Sequence, residues 1–211
     1  MTPFEPVGRT ELAGAATDVA RNLLGTVVVR DDGAGLRIGR IVETEAYGGP
    51  EDQASHARAG RTTRTSIMFG PPGRAYVYLV YGLHHCLNVV CGPDGEAAAV
   101  LVRAIWPMAG IERMRRARGA AGSDASVGAG PARLCEALGI DRSLDGLDLL
   151  SDDRLRLAEP GTGQARLGPG EQVVAGPRVG VSYAGPEWAT RPWRFGIARH
   201  ASLSRPFPAS G

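Results

Sequence analysis

The run Ile41-Val42-Glu43-Thr44-Glu45-Ala46-Tyr47 alternates strictly, and that alternation constrains the fold more than any other stretch of the chain. A strand through it puts Glu43, Glu45 and Tyr47 on one face and Val42, Thr44 and Ala46 on the other. Two acids and a ring thereby share a surface. One reading is a solvated strand face with an incidental tyrosine, since alternating charge is what a half-exposed strand shows. The other is a carboxylate general base beside an aromatic platform. Two carboxylates at this spacing also fit a sugar hydrolase, although neighbouring positions on a strand often hold acids for no catalytic reason.

Around this strand the chain reads as alternating short elements. Thr10 is placed to cap a helix over roughly residues 11 to 24, with Gly25 to stop it. Thr26 to Arg30 is β-branched, residues 31 to 35 are turn chemistry, and Leu36 to Tyr47 completes a hairpin. Residues 48 to 73 are loop-like and longer than a compact domain usually allows, so the segment is either disordered or functional. Ala75 to Tyr81, Cys86 to Cys91 and Ala98 to Ile105 form an antiparallel meander, separated by Gly82 with its two histidines and by Pro93-Asp94-Gly95. Ile111 to Arg118 reads as a short basic helix and Gly119 to Gly130 as a mobile loop. Pro131 takes a first helical position before Ala132 to Leu138, and the proline-rich remainder is short strands and loops. Nothing repeats, and no shift in composition marks a domain boundary.

Composition excludes several classes. With 211 residues, 43% hydrophobic and 22% charged, the chain can bury a sizeable core and is neither disordered nor a coiled coil. No apolar run approaches the roughly 18 residues that cross a membrane, and the N-terminus does not read as a signal peptide. A cytoplasmic protein is expected. Cys86, Cys91 and Cys135 cannot build a disulfide framework, and no histidine or cysteine spacing suggests a metal site. All 24 basic side chains are arginines. Chemistry through a lysine Schiff base is therefore unavailable, leaving only the N-terminal amine as an imine former.

Aromatic residues are only 6% of the chain, yet of five tyrosines Tyr47, Tyr76, Tyr78 and Tyr81 fall between positions 47 and 81. Core packing accounts for a single tyrosine of this kind. Together with His84, His85 and the arginines Arg58, Arg61, Arg64 and Arg74, the cluster fits a design in which rings stack bases and guanidinium groups hold phosphates. The net charge of +2 is too small for indiscriminate binding to nucleic acid, so such contacts would have to be clustered.

The run Arg40 to Tyr47, then Gly49-Pro50-Glu51-Asp52, His56, Met68-Phe69, Pro72-Gly73, Tyr76-Val77-Tyr78, Tyr81-Gly82, Asn88, Asp94-Gly95 and Val100 to Ala104, closely resembles the alkyladenine (3-methyladenine) DNA glycosylase family. Matches continue through Gly130-Pro131 to Leu138, Arg178 to Val181, Glu187-Trp188-Ala189 and Pro192 to Phe195, covering nearly the whole chain. The resemblance implies a monofunctional enzyme that flips a damaged purine out of double-stranded DNA and hydrolyses its glycosidic bond without a cofactor or a metal. Glu45 would be the general base, and Arg103 would help hold the water and the carboxylate. Tyr47 would stack on one face of the extruded base, with His56 and Tyr78 on the other, and Asn88 would disfavour the exocyclic amine of undamaged guanine. Tyr81 would be the wedge that fills the gap in the duplex. Leu83 and His84 stand beside it where mammalian members place a Met and a Tyr, which makes the wedge smaller and pH-sensitive. The segment Ala198 to Ala201 has no obvious counterpart after Phe195. The expectation is one α+β domain over residues 1–211: a curved, mostly antiparallel sheet with peripheral helices and a protruding β-hairpin, acting as a monomer in a bacterial cytosol. A non-catalytic nucleic-acid binding module using the same rings and arginines is the alternative, and Glu45 separates the two, because a carboxylate facing a polyanion only costs a binder affinity.

Overall fold

In the computed structural model, which describes residues 4–119 and 122–208, the alternating segment becomes the hub of an eight-stranded sheet. β1 (Val27–Asp31) leads into β2 (Leu36–Tyr47) through a turn in which the carboxylates of Asp31 and Asp32 accept the N–H groups of Gly33 and Ala34. β3 (Ala75–Val80), β4 (His84–Val90) and β5 (Ala99–Ala109) form the predicted meander, and β5 lies along one whole edge of β2. The other edge of β2 is shared. β1 pairs with its first half, Leu36 to Arg40, and β8 (Arg194–Ile197) takes over at Glu43 to Glu45. β6 (Leu155–Ala158) flanks β1 and β7 (Val173–Gly176) flanks β8, and every pairing is antiparallel.

This arrangement corrects the reading of β2 as a half-solvated strand. The register with β5 shifts on both sides of Glu43, where the edge passes from β1 to β8, and Glu43, Thr44 and Glu45 are fully buried. Behind them α2 (Ala16–Asn22) packs on the sheet, and the Thr44 hydroxyl donates to the Ala20 carbonyl at 2.7 Å. The core on that side joins Val19, Leu23, Ile41, Val42 and Val102. α5 (Pro131–Leu138) covers β4 and β5, with Leu134 and Leu138 fully buried, and α3 (Ile111–Arg118) packs on α5. No helix among the described residues is long and apolar enough to cross a membrane.

β2, α3 and the Pro131 helix occupy their predicted ranges, and other boundaries move for local reasons. The helix expected over 11 to 24 is two, α1 (Arg9–Leu12) and α2, broken at Ala13-Gly14. Thr10 lies inside α1 and caps nothing; Gly8 and Ala15 hold the N-cap positions without side-chain bonds. β5 runs past Ile105 through Pro107, which pairs with Gly39 at a register shift, the kind of bulge that tolerates a missing N–H. Of the stretch expected to be a mobile loop, Asp124–Val127 form α4 and Ala129 bridges to Ala104, while residues 120 and 121 lie outside the described residues. A Cβ at Gly128 would meet the Ile105 carbonyl oxygen at 2.6 Å, so this close approach requires glycine. The long segment after Tyr47 is ordered, with 3₁₀ turns at His56–Ala59 and Ser66–Phe69. α6 (Pro186–Ala189) completes the helices.

The β3–β4 hairpin projects a strained tip. The Val80 carbonyl accepts the N–H of Leu83 at 3.0 Å around Tyr81 and Gly82, whose φ values are 51° and 71°. Positive φ at both central positions is what a type I′ turn demands, and it suits Asn or Gly rather than tyrosine. Tyr81 is 92% exposed, so its ring gains no packing in return. Tyr81→Asn should therefore stabilise the protein by about 0.5–1 kcal/mol, read as a higher urea midpoint at unchanged m-value; a lower midpoint would mean that the ring packs against the fold.

Candidate active site

The two acids of β2 are held in different ways. Glu43 accepts from Arg194 Nε at 2.7 Å and from Arg103 Nε at 3.1 Å, and from the Ser204 hydroxyl at 2.8 Å and backbone N–H at 2.5 Å. Glu45 has fewer donors. Its Oε1 accepts only the Val179 N–H, at 2.6 Å, while its Oε2 accepts the Tyr47 hydroxyl at 2.9 Å and lies 3.3 Å from Arg103 Nη1. A carboxylate offers about four acceptor positions. Glu43 meets four donors, two of them arginines, with three on Oε1 and one on Oε2; Glu45 meets two, one on each oxygen, and keeps acceptor capacity on Oε1.

Burial pushes the Glu45 carboxyl above its ordinary range, and the neighbouring Glu43 adds to this; Arg103, the Val179 N–H and the Tyr47 hydroxyl pull the other way. Burial also disfavours the charge on Arg103, but Glu45 and Glu43 more than offset it and hold its pKa above the usual value. The two donors to Glu45, Tyr47 and Val179, and its ion-pair partner Arg103 line one cleft, together with Tyr78 and Tyr183.

Beside the carboxylate lies a small aromatic pocket, bounded by Tyr47, His56, Tyr76, Tyr78, Asn88 and Tyr183. Tyr76 and Tyr78 share a face of β3 as the period of two requires, with ring centroids 5.3 Å apart. His56 meets Tyr78 edge-on at 4.6 Å, and its Nδ1 is 3.0 Å from the Tyr76 hydroxyl. Burial, helped by Arg64 and Arg58, lowers the His56 pKa to about 4, so the imidazole is neutral near pH 7. Asn88 is buried, and its amide nitrogen donates to the Tyr76 carbonyl at 3.0 Å.

The predicted arginines divide. Arg64 lies 3.2 Å from His56 Nε2 and 5.3 Å above the Tyr78 ring. Arg58 reaches the Gln53 carbonyl and lies over Tyr183, and Arg61 lies over Phe69. All three are exposed; Arg58 and Arg64 stand over the pocket residues Tyr183 and Tyr78, while Arg61 stands over Phe69 outside it. Arg74 does not join them: it is half-buried, its side chain donates to the Gly146 carbonyl, and its backbone pairs with that of Asp148 in an isolated β-bridge. At the hairpin tip Tyr81 and Leu83 project into solvent, and His84 Nδ1 is 3.5 Å from Glu136 of α5.

Several site residues have no signal in the sequence pattern. Val179 contributes a backbone N–H, which any residue carries. Arg178 and Asp52 form a fully buried bidentate pair at 2.6 and 2.9 Å, and Arg178 lies between the rings of Tyr47 and Trp193, 4.9 Å from each. Both fall inside the segments that carry the family resemblance, but nothing in their spacing of 126 positions pairs them. Ser204 and Tyr183 sit in the proline-rich final third, where periodicity gives no guide.

Comparison with known proteins places this geometry. Residues 10–201 match the family described as methylpurine-DNA glycosylase (MPG). A relative from Anaeromyxobacter dehalogenans is 53% identical over 191 residues, covering 90% of this chain and 82% of its own length. One from Streptomyces avermitilis is 46% identical over 200 residues (94% and 91%), and one from Methanocella arvoryzae is 48% identical over 179 (84% and 85%). Each carries the name "Putative 3-methyladenine DNA glycosylase". With nine-tenths of its length matched and a buried glutamate beside an aromatic pocket, the chain belongs to the methylpurine-DNA glycosylase family.

Proposed function

We propose that this protein is a monofunctional DNA glycosylase that extrudes alkylated or deaminated purines from duplex DNA and hydrolyses the N-glycosidic bond with water activated by Glu45. The observation that carries the reading is the unequal treatment of two nearby carboxylates: Glu43 is tied down by two arginines and Ser204, while Glu45 has two hydrogen-bond donors and retains an acceptor position beside the aromatic pocket. A water bound there gives its proton to Glu45 as its oxygen bonds to C1′ of the deoxyribose. The bond from C1′ to the base nitrogen breaks, and its electron pair leaves with the purine. A 3-methyladenine or 7-methylguanine base carries positive charge and departs neutral, whereas hypoxanthine must take up a proton as it leaves.

The pocket suits a cationic purine. Electron-rich faces of Tyr47 and Tyr78 attract it by about 1–2 kcal/mol once desolvated, and the neutral His56 adds no opposing charge. Unpairing is cheaper for a damaged base, so part of the selectivity precedes the pocket. Asn88, fixed by the Tyr76 carbonyl, forms the wall that disfavours the exocyclic amine of guanine. The exposed Arg58, Arg61 and Arg64 would hold phosphates, with Tyr81 as the wedge and Leu83 and His84 flanking it.

Base release from duplexes that each carry one lesion tests the whole reading. Glu45→Gln should slow single-turnover release by about 10²–10⁴-fold while lesion binding is kept or tightened; release near the wild-type rate would reject Glu45 as the base. Tyr47→Phe removes a hydrogen bond that favours the ionised carboxylate, so the Glu45 pKa rises and the acid limb of the pH–rate profile should move to higher pH. An acid limb moving downward, or not at all, would separate that limb from Glu45. Because the chain has no lysine, borohydride should trap no protein–DNA adduct and the abasic strand should stay intact; strand cleavage in step with base release would overturn the monofunctional assignment.

A further inference from the structure

Beyond the last matched residue, the chain doubles back against Glu43 as a strap. Phe207 anchors it. Its ring packs over the glycines of β7 and β8, where a Cβ at Gly196 would meet the ring at 2.6 Å and one at Gly176 at 3.1 Å. The Arg194 guanidinium lies 3.9 Å from the centre of the same ring and donates to the carbonyls of Arg205 and Pro206. This anchorage brings Ser204 to Glu43 through both its N–H and its hydroxyl, while the same hydroxyl oxygen accepts from Arg103 Nη2 at 3.0 Å and Nε at 3.3 Å.

Arg103 is therefore contested. Glu43 holds its Nε, and Glu45 competes for Nη1 at 3.3 Å. Two donors from Ser204 and one from Arg194 meet most of the hydrogen-bonding demand of Glu43, and the hydroxyl pins the outer edge of the guanidinium. We propose that Ser204, held by the Phe207-anchored strap, is a positioning residue: it satisfies Glu43 so that Arg103 presents Nη1 to Glu45. This rests on the reading of Glu45 as the general base. Without the hydroxyl, Glu43 draws Arg103 toward itself, and Glu45 loses part of the positive charge that keeps it ionised. The other groups facing Glu45 are Tyr47 on its own strand, Tyr78 of β3, Cys86 of β4 and Tyr183, while Arg194 of β8 is directed to Glu43. Among the described residues, Arg103 is the one cation within 4 Å of the Glu45 carboxylate.

The test is single-turnover release of hypoxanthine from a one-lesion duplex across pH, with lesion affinity measured in parallel. Ser204→Ala should slow release about tenfold near neutral pH and move the acid limb upward by about half a unit, with affinity unchanged; Ser204→Thr, which keeps the hydroxyl, should restore both. Phe207→Ala should move the limb the same way, and it reads the strap even if Ser204→Ala fails to fold. An unshifted acid limb in Ser204→Ala and Phe207→Ala, beside a Glu45→Gln variant that has lost release, would overturn the strap proposal alone. Release by Glu45→Gln at the wild-type rate would instead overturn the underlying assignment of the base.

Discussion

The ion pair between Asp52 and Arg178 has neither partner in contact with solvent, and three otherwise separate pieces of the site converge on it. Asp52 also accepts the N–H groups of Gly48 and Ala54, which folds the start of the long loop back on the end of β2. Arg178 donates to the Ala46 carbonyl and, through its neighbour Val179, delivers the N–H that binds Glu45. Its guanidinium plane backs the Tyr47 ring. Burying two charges is expensive, and an apolar pair of similar shape could be as stable; removing one partner alone costs about 3–5 kcal/mol because a buried charge is left unpaired. Even here Arg178 Nε has no partner among the described residues. What the pair supplies in return is registration: loop, strand end and the 178–181 segment are fixed relative to one another, and the position of Glu45 follows.

Such long-range pairing is the part of the molecule that sequence pattern cannot reach. Local rules place β2 over Leu36–Tyr47 and α5 from Pro131, because alternation and proline chemistry act within a few residues. They also put Glu43, Glu45 and Tyr47 on a common face, and the Tyr47–Glu45 hydrogen bond bears this out. Alternation cannot tell whether that face meets water or protein. Here β8 takes the edge of β2 that β1 leaves at Arg40, so acids that look solvated by pattern are fully buried. The family resemblance named Glu45 and Arg103, and the structure brings them within 3.3 Å. It did not name Glu43 or Ser204 as partners of Arg103, which depend on where the chain goes after β8. The broken first helix is a smaller failure of the same kind, since a Thr at a plausible cap carried more weight in the sequence than the Ala-Gly pair that ends the turn.

Two carboxylates and two arginines in one buried cluster would be poorly determined if the charges could pair freely. The fold removes the ambiguity through asymmetry of supply. Arg194 is committed to Glu43 and to carbonyls of the strap, so it cannot serve Glu45. Arg103 lies between both acids, and its geometry decides how basic Glu45 is. Desolvation raises the affinity of Glu45 for a proton, while Arg103, the Val179 N–H and the Tyr47 hydroxyl keep that affinity from rising too far. For the base proposed above, a raised proton affinity helps only while the carboxylate stays ionised, and these neighbours act in that direction.

The rim and the hairpin obey the opposite rule from this packed centre. Tyr81 and Leu83 leave large apolar surfaces in water, and the positive φ of Tyr81 suits no tyrosine, a combination that stability alone would not produce. Local backbone strain of this sort is maintained where an exposed side chain has a use away from the folded core. In the reading proposed above, that use is stacking: a ring inserted into the gap left by an extruded nucleotide recovers about 1–3 kcal/mol per base, and its burial then removes the apolar surface from water. In that reading the hairpin stores an unfavourable exposure in the free protein that binding would relieve. In the same reading, the buried carboxylate cluster is already assembled in the free protein, so the energy of inserting Tyr81 could go to unpairing the lesion rather than to assembling the site around Glu45.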